Sequence, residues 1–392
     1  MSPVITTTPV PQAIRISVVG PPPVLPRSLN PNLDFLRAFA VSLVFVGHLL
    51  YFHGQETLGP LHLNLLGALG VLLFFVHTCC VLMLSLERQE KQPGSVKFFL
   101  SFMIRRCFRI YPLSMVVVLL VAIFHLPMGT VAPGHFAGLK PDGGDLIANF
   151  FLVMDLSHRT PMLGPMWSLP YEMQMYLFLP WLYLLIRPNR ALWRIAGVWA
   201  IAVAAPLGWI FLRHSSNPNL ATYIPCFLPG IFAYQLQRKI RPRVPAYLWP
   251  PTVVLLAVLF LCGGLTENWP LRWALCLGIG LAIPSFTPIS TRWLVAATHL
   301  IAKYSYGIYL SHFFCIWFAF DHLHDLPALG KWALFLLLAA GLPVLLYHLL
   351  EEPMIGLGKK IASQYESTPV GGFRNSQVAA GKPAVYDGSG IG

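Results

Sequence analysis

Two ionisable residues, Arg37 and His48, lie in the apolar segment 33–52. In an α-helix their eleven-residue spacing gives three turns plus about 20°, so both side chains share one face about 16 Å apart. Ionisable groups inside a bilayer are costly and usually face a bundle interior or a watery cavity. A neutral imidazole can accept a proton and a guanidinium can bind an anion, so the pair predicts a chemical site between helices. The alternative for His48 is a hydrogen-bonded packing residue.

A second cluster of cations precedes the apolar segment 108–126. Arg106 and Arg109 are three residues apart, so both can face one phosphate group, which guanidinium binds in a bidentate way. The same arginines would also serve as ordinary cytoplasmic anchors of a membrane span. Spacing alone does not separate an anion clamp from anchoring.

Three further segments carry polar residues where a membrane span is normally apolar. Glu172 lies one helical turn from Tyr176 near the outer end of its segment, and we expect a carboxylate that faces a cavity. His77 is close to the middle of the second segment, where it either lines the same cavity or bonds a neighbouring carbonyl. Ser305, Tyr309 and His312 follow one another at four and three residues, and such a polar stripe requires a partner helix or a cavity.

The elements that must position these residues are apolar helices. Of the 392 residues, 56% are hydrophobic and only 11% are charged, against about 25% charged in soluble domains. The sequence therefore predicts an all-α integral membrane protein with about ten transmembrane helices. The candidate spans are 33–52, 63–86, 108–126, 168–187, 192–212, 221–238, 246–264, 270–287, 300–320 and 329–350.

The connections between these segments predict the orientation. With the N-terminus inside, 21 of the 27 Lys and Arg residues fall in cytoplasmic segments and five fall outside, as the positive-inside rule requires. Both termini are then cytoplasmic. The net charge of +12 does not indicate a nucleic-acid partner, because the charges lie in short loops between spans. The longest outer connection, 127–167, is expected to fold over the outer mouth.

The ends of the chain differ from this central part. Residues 1–32 are rich in proline and the segment 356–392 is rich in glycine and serine, so we expect two disordered cytoplasmic tails around a membrane domain at 33–355. The seven cysteines lie mostly within spans and lack metal-ligand spacing. They predict neither a metal site nor a disulfide framework.

The polar segments together resemble the membrane-bound acyltransferase family 3. The resemblance covers about 33–355 and rests on five motifs in order. They are Leu33-Asp34-Phe35-Leu36-Arg37-Ala38 with His48; Arg106-x-x-Arg109 before Ile110-Tyr111-Pro112; Trp167-Ser168-Leu169 with Glu172; Ser305-Tyr306-Gly307-Ile308-Tyr309-Leu310-Ser311-His312; and Glu352-Pro353. The sequence departs from the family pattern at Gly47, at His77-Thr78-Cys79 and at Pro170. These departures bear on the substrate specificity more than on the class of reaction.

The resemblance implies a reaction and roles for these residues. The donor would be a cytoplasmic acyl-CoA, usually acetyl-CoA, bound by Arg37, Arg106 and Arg109, with no permanently bound cofactor. The acceptor would be the hydroxyl of an extracytoplasmic glycan or small molecule. His48 would act as the base or carry the acyl group, and Glu172 would orient the imidazole or the acceptor. His77, Tyr176, Ser305, Tyr309 and His312 would support the cavity.

The resemblance also implies the localisation, which is the inner membrane of a bacterium, where membrane lipids would surround the protein. It says nothing of the oligomeric state. The alternative from another class is a transporter of a glycan or small molecule, because ten spans with internal polar groups suit that function too. An enzyme that moves longer acyl or succinyl groups is a third interpretation.

Overall fold

The computed structural model describes residues 30–89, 96–138, 140–186, 192–213, 219–263 and 268–367, and these are mainly helical. The α-helices are α1 Pro31–Phe52, α2 Leu66–Arg88, α3 Val96–Ile123, α4 Gly143–Phe150, α5 Leu169–Leu185, α6 Leu192–Arg213, α7 Leu220–Phe227, α8 Pro229–Leu236, α9 Trp249–Cys262, α10 Trp269–Ala282, α11 Arg292–Ile316, α12 Ala328–Leu346 and α13 Glu352–Ser367. Two hairpins pair β1 Thr57–Leu58 with β2 Leu61–His62, and β3 Thr130–Ala132 with β4 His135–Ala137.

The helices differ in length from the predicted spans. Within the described ranges, five helical stretches are long and apolar enough to cross a membrane: Pro31–Phe52, Leu63–Arg88, Val96–Ile123, Leu192–Leu212 and Ala328–Tyr365. The predicted span 221–238 is two short helices that are separated at Leu228, because Pro229 at the start of α8 has no N–H to continue the hydrogen bonds of α7. The fold is that of an all-α membrane protein, while the count of ten spans and the side of the termini stay predictions.

The predicted tails lie mostly outside the described residues. The expected C-terminal disorder is wrong over 356–367, because α13 continues to Ser367. This helix packs along α3, and Gly358 faces the ring of Phe108. Helix packing therefore orders a stretch whose composition alone indicated disorder.

Helix α1, which carries Arg37 and His48, packs on both α2 and α11. Glycine allows the close approach of α1 and α2, since a Cβ at Gly70 would lie 2.5 Å from the carbonyl oxygen of Ala40. A Cβ at Gly47 would lie 2.7 Å from the Cβ of Leu66. Small residues at such crossings let helix backbones approach in membrane proteins.

We expect Gly70→Ala to destabilise the fold by about 1–3 kcal/mol, the usual cost of overpacking. The added methyl would meet a backbone oxygen that cannot rotate away. The measurement is the thermal unfolding midpoint of the purified protein in detergent. Gly197→Ala on α6 is the matched control, because nothing lies within 4 Å of its Cβ position. Equal midpoints for the two variants would contradict the tight crossing.

The connection 127–167 is folded against the ends of α1 and α11. Phe136 in β4 packs between Phe52 and Phe313, with ring centroids 5.5 and 5.2 Å away. Asp142 caps α4 through the amide of Asp145 at 2.7 Å. The same carboxylate accepts a hydrogen bond from Arg159 at 2.7 Å; together these bonds hold the pKa of Asp142 below its usual value. This connection therefore covers one end of the bundle, as expected from its length.

Candidate active site

The polar residues predicted from separate segments meet around two neighbouring cavities. The first, which we call the arginine cavity, contains about 730 Å³ of space between atoms, part of it open to solvent. Its polar lining comprises Arg37, His77, Thr78, Arg106, Arg109, Ser168, Glu172, Tyr176, Ser305, Tyr306 and Tyr309. Helices α1, α2, α3, α5 and α11 all contribute to it.

Arg37 is fixed in this cavity by α11. Its Nε donates to Ser305 Oγ at 2.6 Å, and the Ser305 hydroxyl lies 2.9 Å from the carbonyl oxygen of Ala302. Arg106 is steadied by a different contact, with its guanidinium 5.7 Å from the ring centroid of Phe102. Two of the arginines are thus held by neighbours that carry no negative charge.

Glu172 also lies in the arginine cavity, where Tyr176 donates a short hydrogen bond to its carboxylate. The lining contains three arginines and one glutamate, so positive charge is in excess. A cavity with excess guanidinium favours an anionic ligand. His77 lines the same cavity, and its buried Nδ1 has no hydrogen-bond partner among the described residues. Of the two interpretations of His77, the geometry therefore favours the cavity.

The second cavity, which we call the histidine cavity, contains about 1610 Å³ of space between atoms, part of it open to solvent, and His48 is in its lining. The Nδ1 atom of His48 lies 2.9 Å from the carbonyl oxygen of Val44 and 3.1 Å from Nε2 of His312. The ring of Phe313 meets the imidazole edge-on at 4.9 Å. His48 is thus a half-buried imidazole that is held on one side and borders the cavity on another.

An aromatic wall, defined as Trp167, Tyr171, Tyr223 and Trp269, forms another side of the histidine cavity. Tyr223 stands at its centre, with ring centroids 4.8 Å from Tyr171 and 5.1 Å from Trp269. The guanidinium of Arg272 lies 4.8 Å from the Trp269 ring. Sequence reasoning missed this wall, because Trp and Tyr near span ends are read as interfacial anchors.

Tyr309 and Val71 line both cavities. The Tyr309 hydroxyl donates to the carbonyl oxygen of Pro165 at 2.5 Å and lies 2.8 Å from Ser168 Oγ. This network ties α11 to the turn that precedes α5. Tyr309 therefore stands at the junction of the arginine and histidine cavities.

Arg37 and His48 share α1 but line neighbouring cavities, because about 16 Å along a helix axis brings each against different neighbours. One expectation about the site, the position of Glu172, is wrong. Glu172 lies with the arginines and not beside His48, whose imidazole partner is His312. The physical reason is that a carboxylate between helices is stabilised by nearby guanidinium groups.

A helical membrane bundle in which a cationic cavity adjoins a histidine-lined cavity has the groups that a membrane-bound transferase requires. The sequence profile described as the acyltransferase domain matches residues 30–348, and the chain belongs to this family, acyltransferase family 3. It is also similar to acyltransferase MdmB of Streptomyces mycarofaciens, with 28% identity over 320 residues, 73% of this chain and 79% of that relative. No solved structure matches the chain.

Membership of the family has direct consequences. The protein is an acyltransferase that moves groups other than aminoacyl groups, and it has an acyl donor and an acceptor. Its apolar helices and its family identify it as a membrane protein. The comparisons do not favour a transporter.

Proposed function

We propose that the protein transfers an acyl group, in the simplest case acetyl, from cytoplasmic acyl-CoA to a hydroxyl of an extracytoplasmic acceptor. A surface or exported polysaccharide is the acceptor that we favour. The observation that carries the proposal is the meeting of a cationic cavity and a histidine cavity at Tyr309. A donor in the first cavity and an acceptor in the second would bring the thioester and the hydroxyl together at that junction.

The arginine cavity supplies what a coenzyme A donor requires. Arg106 and Arg109 lie one turn apart on α3 and face the same cavity, so they can bind phosphate groups in the bidentate manner of guanidinium. Arg37, held by Ser305, stands on the helix that leads towards His48. The slender pantetheine arm would follow α1 from the arginines to the junction.

The histidine cavity supplies a base. His48 would accept the proton of the acceptor hydroxyl while the hydroxyl oxygen attacks the thioester carbonyl carbon. The C–O bond forms and the C–S bond breaks. His48 then gives the proton to the departing thiolate. A positioned base contributes about 10²–10⁴-fold. The alternative is attack by His48 itself, which gives an acyl-imidazole that the acceptor hydroxyl then opens.

The aromatic wall supports a glycan acceptor. Sugar rings present apolar C–H faces and polar edges, and the amphipathic rings of Trp and Tyr suit such ligands. Arg272 and Asn64 in the same lining supply hydrogen-bond donors to hydroxyl groups. We place the protein in the inner membrane of a bacterium, since basic connections on one side and a cytoplasmic donor favour that location.

The test is transfer of label. Purified protein in lipid nanodiscs is given acetyl-CoA labelled in the acetyl group, together with polysaccharide from cells that lack the gene. We expect label in the polysaccharide and release of free coenzyme A, and mass spectrometry of surface polysaccharide with and without the gene identifies the acceptor in cells. An untouched thioester would contradict the donor, and release of coenzyme A without labelled polysaccharide would contradict the acceptor.

A further inference from the structure

We infer that His312 is a positioning residue that, together with the carbonyl oxygen of Val44, fixes the tautomer of His48 and leaves Nε2 of His48 as the reacting atom. This inference rests on the proposed function of His48 as base or nucleophile. It assigns a role to a residue that contacts the imidazole and not the substrate.

The tautomer of His312 follows from its two carbonyl neighbours. Its Nδ1 lies 2.7 Å from the carbonyl oxygen of Tyr309 and 3.3 Å from that of Ile308. Carbonyl oxygens only accept hydrogen bonds, so Nδ1 carries the hydrogen. A neutral imidazole has one N–H, and the Nε2 atom of His312 is therefore an acceptor.

The tautomer of His48 follows in turn. Its Nδ1 lies between two acceptors, the Val44 carbonyl oxygen at 2.9 Å and the His312 Nε2 atom at 3.1 Å. Nδ1 must donate to them, which leaves the lone pair on Nε2. The reverse assignment would set lone pairs of both histidines against carbonyl oxygens.

Gly67 leaves the Nε2 edge of the His48 ring uncovered. A Cβ at Gly67 would lie 3.2 Å from Cε1 and 3.4 Å from Nε2 of His48. Both residues line the histidine cavity. The Nε2 edge thus faces a position that has no side chain, beside the space assigned to the acceptor.

The arrangement suits both halves of the reaction. Before transfer, His312 holds the imidazole with its lone pair towards the cavity. After Nε2 has taken a proton, the Nδ1–H group still donates to Val44 and His312, which stabilises the imidazolium. A third group that orients a catalytic imidazole in this way is a recurring device, usually served by a carboxylate; here a neutral histidine would serve.

The test compares three replacements of His312. Glutamine places an amide oxygen where Nε2 was, asparagine reaches only the position of Nδ1, and leucine supplies neither. We expect His312→Leu and His312→Asn to lower kcat by about 10²-fold, with KM for acyl-CoA unchanged and with His312→Gln within about tenfold of the wild type. His322→Leu, farther along the same polypeptide and outside both cavities, is the matched control.

Activity at wild-type level in the leucine or asparagine variant would overturn the inference. Equal loss in the glutamine and asparagine variants would do the same. The comparison of the glutamine and asparagine variants tests the inference even where the leucine variant fails to fold.

A substrate-free readout separates this inference from the proposed function. Nitrogen NMR of protein labelled in histidine distinguishes protonated from unprotonated ring nitrogens, and the His48→Asn spectrum identifies the signals of His48. We expect Nδ1–H in the wild type and a larger share of the Nε2–H tautomer in His312→Leu, where the Val44 carbonyl oxygen is the one acceptor left of the two at Nδ1. An Nε2–H tautomer in the wild type overturns the inference, whether or not acyl transfer from acetyl-CoA is observed.

Discussion

Replacement of His48 by asparagine or alanine lowers acyl transfer by about 10²–10⁴-fold, the contribution of a positioned base, while the protein still inserts into the membrane. The asparagine amide can donate to Val44 as Nδ1 does, but it has no basic lone pair. Packing is therefore kept and only the proton-accepting function is lost. The measurement is the initial rate of label transfer from acetyl-CoA, normalised to folded protein by size-exclusion chromatography.

The matched control is His53→Asn at the end of the same helix. His53 Nδ1 lies 2.8 Å from the carbonyl oxygen of Leu49, so it makes the same local contact as His48 but lies exposed and outside both cavities. We expect wild-type rates in this control. A His48→Asn variant that is as active as the control would sink the assignment of His48.

A second experiment with the same variant distinguishes His48 as a base from His48 as a nucleophile. Wild-type protein is mixed with labelled acetyl-CoA in the absence of acceptor and quenched. Label that stays on the protein, is absent in His48→Asn and is released by hydroxylamine indicates an acyl-His48 intermediate with ping-pong kinetics. Protein without label indicates direct transfer with His48 as the base.

The sequence was a good guide to which residues line the site. Ionisable groups are rare in apolar spans and nearly always functional or partnered, so Arg37, His48 and Glu172, which line the two cavities, could be found without a structure. The aromatic wall was not visible, since Tyr223 and Trp269 look like any other residues at span ends. Their role depends on which helices adjoin, and composition carries no such information.

The sequence does not show which helices pack against one another. Arg37 meets Ser305 and His48 meets His312, so α1 and α11 run in the same direction. The predicted alternation of spans, with α1 first and α11 ninth, requires the same direction. Segment lengths were less predictable, because α9 and α10 have only 14 residues each and hydropathy does not show where helices break.

Replacement of Arg106 and Arg109 by alanine, singly and together, should raise KM for acyl-CoA. A hydrogen bond to a charged group contributes about 1.5–3 kcal/mol, so each arginine that binds the donor phosphates should change KM for acyl-CoA by about 10- to 100-fold. The turnover at saturating donor should change little, since these groups lie away from His48. The measurement is the full dependence of rate on acyl-CoA concentration at two ionic strengths.

Two comparisons make the result specific to phosphate binding by these side chains. Arg88→Ala, at the last turn of α2 and outside both cavities, removes a cation without touching the arginine cavity and should leave KM unchanged. Arg106→Lys keeps the charge but loses the bidentate fork, and should give an intermediate KM. An unchanged KM in the double alanine variant would show that Arg106 and Arg109 serve as membrane anchors, because anchoring affects insertion and not the affinity for a soluble donor.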